Sequence, residues 1–110
     1  MDGLEQIIFD IISNAGEARS ILMGVIQDSE KGVFTDYEQH LKDADERIKD
    51  AEKAHFKIIS SEAKQKAVPF NVLLVHAEDQ MMAAEIIRDL ASSIVKANRR
   101  IAELEHPETK

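Results

Sequence analysis

Apolar residues recur along this chain with the spacing of helices. In the first third, Leu4, Ile8, Ile11, Ala15, Ala18, Leu22 and Val25 follow one another at alternating four- and three-residue steps, and Ile7, Ile12, Ile21 and Ile26 widen the same arc. This pattern predicts a well-buried first helix. Gly16 interrupts it at a cost of about 1 kcal/mol relative to Ala, so it marks either a close helix approach or simple tolerance. A second series, Phe34, Tyr37, Leu41, Ala44, Ile48, Ala51, His55 and Ile58, keeps the three-four spacing of a coiled-coil seam. The residues between are mostly charged and read as a solvated face. Thr35 or Asp36 is placed to cap its start.

The third series opens after Pro69 and runs from about Asn71 to Leu104. At about 100° per residue, Val72, Leu73, Ala83, Ala84, Ile86, Ile87, Leu90, Ala91, Ile94, Ala97, Ile101 and Leu104 gather on one broad arc. Glu78, Glu85, Asp89, Lys96 and Glu103 lie opposite. Two polar residues, His76 and Asp79, interrupt the apolar arc.

Breaks fall near Gly32 and between Lys64 and Pro69, so the expected fold is all-α, an antiparallel three-helix bundle. Residues 1–104 form one domain, and 105–110, with His106 and Pro107, read as a frayed polar tail. Three helices cannot cover arcs this wide, which points to homo-oligomerisation, most naturally around the third helix.

Composition narrows the function. The chain has 110 residues, enough for one core, and its hydrophobic fraction of 44% contains four Phe, one Tyr and no Trp, so the core is aliphatic. A formal net charge of -7 argues against nucleic acid as a partner. No run is long and apolar enough to enter a membrane, and the N-terminus lacks a signal-peptide pattern, so the expected location is the cytoplasm. Without cysteine, chemistry falls to histidines and carboxylates.

Of the four histidines, His106 and His40 lie at positions expected to be exposed. His55 sits on the seam of the second helix, where a packed, hydrogen-bonded histidine is the ordinary outcome. Glu52 and His55 have the Glu-x-x-His spacing of di-iron bundles, but such a site needs a second copy, and the chain has none. His76 and Asp79, three residues apart, share one side of the third helix. Pattern alone leaves them open: ordinary interface polar groups of a helical adaptor, ligands of a metal-binding bundle with Glu52 and His55, or a reactive pair. Buried at a symmetric contact, Asp79 would need a proton, a hydrogen bond or a cation.

The segment Leu73-Leu74-Val75-His76-Ala77-Glu78-Asp79-Gln80-Met81-Met82 resembles the V-H-A-Q-D-H-L-M signature of lactose/cellobiose-type IIA components of the sugar phosphotransferase system. Asn14 to Ser20 is similar to the family's A-G-[DE]-A-R-S segment. Ala51 to His55, Glu62-Ala63 and Ile86 to Leu90 resemble further family elements, in order, across almost the whole chain. The resemblance implies a homotrimeric nine-helix bundle and a phosphocarrier that takes a phosphoryl group on His76 from the carrier protein HPr and passes it to a cysteine of the cognate IIB component, in uptake of a lactose/cellobiose-type glucoside or galactoside. It also implies that Asp79 lies at the trimer axis and holds a divalent cation there, expected to be Mg2+. The chain departs from the signature at Glu78, where the family commonly has Gln, and at Gln80, where it commonly has a second His. Gln80 donates only through its amide, so the site's electrostatics differ. Met81 and Met82 read first as packing and second as adaptable partner contacts.

Overall fold

The computed structural model describes residues 3–64 and 68–109. Its three long helices are α1 (Leu4–Glu30), α2 (Tyr37–Ala63) and α3 (Val72–Glu105). Among the described residues there is no strand. The helices form an elongated bundle of 62 × 19 × 18 Å. α1 packs along both other helices, whereas α2 and α3 touch each other much less.

α1 follows its pattern closely: Ile7, Ile8, Ile11, Ala15, Ala18, Leu22, Val25 and Ile26 are buried. It ends in a Schellman motif. Gly32 adopts φ 79, its N–H donates to the Ser29 carbonyl, and the Val33 N–H donates to the Asp28 carbonyl. A Cβ on Gly16 would meet nothing within 4 Å, so no helix of this chain approaches it closely.

α2 buries Ala44, Ile48, Ala51, Ala54 and Ile58. At its start, Phe34 and Tyr37 stack edge to face at 6.5 Å. The expectation that a side chain caps this helix is corrected. Asp36 is the N-cap but lies in the left-handed region at φ 54, and neither it nor Thr35 supplies a side-chain cap bond. The expected break between Lys64 and Pro69 follows the end of α2, and its residues 65–67 lie outside the described residues.

Asn71 caps α3 by accepting from the N–H groups of Leu73 and Leu74. The broad arc of α3 resolves into two faces. Ala77, Met81, Ala84, Ala91 and Val95 are buried against the bundle. Three of these, Ala77, Met81 and Val95, lie beyond the arc drawn from sequence, because α3 turns that arc's edge, not its centre, toward α1 and α2. The centre and far edge, including Val72, Ile86, Leu90, Ile94, Ile101 and Leu104, face outward. Past His106, residues Pro107–Thr109 make a 3-10 turn where a frayed tail was expected; the ring of Pro107 holds φ near the value such a turn needs.

Candidate functional site

His76 and Asp79 stand on the outward face of α3, both exposed, and neither makes a side-chain hydrogen bond or ion pair among the described residues. Three residues apart, they lie one turn from each other. Exposed Val72, Val75, Ile86 and Leu90 share the face, with Ile86 60% and Leu90 54% accessible. An imidazole with unoccupied nitrogens beside an apolar patch is suited to accept a group from a partner that docks there.

The opposite side of α3 is polar where it meets α2. The His55 ring donates from Nε2 to Oε2 of Glu78 at 2.7 Å, joining residues 23 apart in sequence. A carboxylate only accepts, so the contact fixes the proton on Nε2 when Glu78 is ionised. Further along, Arg88 reaches Asp45 at 3.3 Å and its neighbour Asp89 at 3.1 Å, while Lys49 pairs with Asp45 at 3.0 Å. Between these ties Glu52 meets Glu85, and the hydrogen bond between the two carboxyls pushes the Glu52 pKa up, with burial and the Glu85 charge adding to it. At the far end of the bundle Asn98 donates to the hydroxyl of buried Ser29, which donates to the Ile26 carbonyl.

The four residues of a conceivable metal-binding bundle are therefore not brought together. His55 is turned to Glu78, which projects from α3 nearly opposite to His76 because two residues span about 200° of helix. Among the described residues no group of three His, Cys, Asp or Glu could hold a metal ion. Asp79 is a single carboxylate and forms no such group within one chain among the described residues. His40 is exposed, as expected. His106 is also exposed and lies 3.6 Å from Glu108. Met81 is buried packing, whereas Met82 is half exposed.

Sequence reasoning did not find Glu78 as the partner of His55, nor Glu85 as the partner of Glu52. The cue that was available was the position of Glu78 on the polar side of α3 together with a histidine on the inward stripe of α2.

The chain matches the family model for the "PTS system, Lactose/Cellobiose specific IIA subunit" over residues 6–99. It is 33% identical to the lichenan-specific phosphotransferase enzyme IIA component of Bacillus subtilis (strain 168), over 91% of each chain. It is 29% identical to the galactose-specific EIIA component of Lactococcus lactis subsp. cremoris, over 91% of this chain and 86% of that one. The crystal structure of the cellobiose-specific enzyme IIA from Bacillus anthracis superposes with a TM-score of 0.86 at 31% identity, covering 93% of this chain and 94% of that one.

Proposed function

Because the chain belongs to the lactose/cellobiose-specific IIA family, the phosphoryl-carrying transferase components of the sugar phosphotransferase system, we propose that His76 is the residue that carries the group. The observation that supports this reading most directly is the exposure of His76, with no side-chain partner, beside an uncovered apolar face. A ring nitrogen of the neutral imidazole attacks phosphorus in line. The bond from phosphorus to the donor nitrogen breaks, and its electron pair returns to the donor imidazole. In the second step a thiolate attacks phosphorus, and the pair of the nitrogen–phosphorus bond returns to His76. The protein contributes position and charge compensation. The donor is phosphorylated HPr and the acceptor a cysteine of the cognate IIB component. The sugar is of the lactose/cellobiose type and does not touch this protein.

The outward face of α3 supports assembly as a homotrimer in a nine-helix bundle, because Val72, Ile86, Leu90, Ile94, Ile101 and Leu104 leave it largely apolar and uncovered in the single chain. Asp79 sits near the middle of that face, so copies of it would converge on the axis. Several carboxylates with water completing an oxygen shell fit a hard divalent cation such as Mg2+, whose contribution would be to offset their mutual repulsion. No described helix is long and apolar enough to cross a membrane, which agrees with a cytoplasmic carrier.

The test is incubation with phosphoenolpyruvate, enzyme I and HPr, followed by intact mass measurement and site mapping. Wild type should gain one acid-labile phosphoryl group per chain at His76, and His76→Ala should gain none. Unmodified wild type in the presence of demonstrably charged HPr would instead favour a helical adaptor that uses the same apolar face for binding.

A further inference from the structure

We propose that His55, acting through Glu78, is a positioning residue that sets the direction of the His76 imidazole; the inference rests on His76 being the carrier. In the single chain the N-terminal turns of α3 are only partly packed, with Leu74 set against the core. Val72, Leu73, Val75 and His76 are exposed, and Ala77 is the first fully buried residue of the helix. The Asn71 cap satisfies α3's own N–H groups and ties the helix to nothing else. Among the described residues the side-chain hydrogen bond that joins α3 to α2 nearest to His76 is the 2.7 Å contact between His55 and Glu78.

His55 is itself well anchored. It lies on α2 between buried Ala54 and Ile58, and only 19% of its side chain is accessible, against 36% for Glu78. The contact is short and partly shielded from water, which makes it stronger than an exposed ion pair. Glu78 projects from α3 almost opposite to His76, so a tether at Glu78 restrains rotation of the helix about its axis. Rotation about that axis is the motion that would swing the His76 ring along the outer surface. In-line transfer is sensitive to such errors, and a displacement of about 1 Å can cost up to about a hundredfold in rate. Since neither His55 nor Glu78 lies on the outward face, the restraint acts on the transfer step and not on recognition of the donor.

The experiment is a kinetic comparison of the full-length protein with phosphorylated HPr as donor, for wild type, His55→Ala, His55→Gln, Glu78→Ala and the double alanine variant, with phosphate mapped to its residue. His55→Ala should lower kcat roughly tenfold with KM changed by less than about twofold. The double variant should be no slower than the slower single one, because both remove one interaction. His55→Gln, whose amide can donate to Glu78, should recover most of the rate, which general loss of packing would not allow. Thermal melts establish that each variant is folded. A normal kcat in His55→Ala, a loss confined to KM, or a glutamine variant as slow as alanine would overturn the positioning role while leaving the carrier intact. Failure of wild type to take phosphate at His76 would overturn the carrier reading, and the positioning role with it.

Discussion

At the scale of single residues, the seam between α2 and α3 carries a measurable pH dependence. The hydrogen bond with Glu85, then burial, then the Glu85 charge raise the Glu52 pKa above its usual value of 4.5, against a smaller lowering by Arg88. A carboxyl whose pKa is raised by folding contributes stability below its unfolded pKa, and that contribution is lost as pH climbs through the folded value. At neutral pH the two carboxylates therefore oppose each other. Glu52→Gln should raise the melting temperature at neutral pH by an amount equivalent to less than about 1 kcal/mol, as is usual for part-exposed charges. The gain should shrink as pH falls through the raised pKa of Glu52, where its carboxyl takes up the proton, and a gain that does not change with pH would place its origin elsewhere. Single residues also mark the limit of sequence reading. The shared side of His76 and Asp79 follows from a local three-residue step, but the pairing of His55 with Glu78 joins separate helices and depends on how α2 and α3 are rotated against each other.

At the scale of elements, the bundle is built around small residues. Ala15, Ala18, Ala44, Ala51, Ala54, Ala77, Ala84 and Ala91 are all buried, which lets the helices approach closely around a few large side chains such as Ile8, Ile11, Leu22 and Ile48. A large side chain packed among alanines is costly to lose, because small neighbours cannot fill the space it leaves. Ile48→Ala should destabilise the chain by about 2–5 kcal/mol through lost transfer energy and the cavity left behind, and denaturant unfolding would measure it. A cost below about 1 kcal/mol would mean that the alanine-lined interface collapses into the space. Helix limits were legible because their signals are local: Gly32 closes α1, and Asn71 opens α3. The two faces of α3 were not separable by periodicity. A wide apolar arc has the same spacing whether one neighbour covers all of it or separate neighbours cover its parts.

At the scale of the whole molecule, a rod 62 Å long exposes an apolar stripe down its third helix, and the proposed homotrimer would cover that stripe. Leu90→Asp should weaken self-association by well over about tenfold, because assembly would bury an unpaired carboxylate, while leaving the single chain helical. Sedimentation velocity together with circular dichroism would show both effects, and an unchanged sedimentation coefficient would place the interface elsewhere. Removing divalent cations with a chelator should shift the assembly equilibrium if Asp79 copies share an ion. It should not prevent His76 from accepting phosphate, since His76 belongs to the same face but is not needed as a ligand.

The sequence by itself determined the class of fold, the extent of each helix, and the placing of His76 and Asp79 together on one apolar side of the third. These properties follow from spacing within one helix, and spacing is written directly in the chain. Only the tertiary structure decided which part of that arc enters the core, that both residues are exposed on the single chain, and that Glu78 faces His55 rather than His76. Those outcomes depend on the rotation of each helix about its own axis. That rotation is set by the packing of alanines and isoleucines from all the helices at once, with the His55–Glu78 bond as a local tie near the start of α3, and no single segment carries the information.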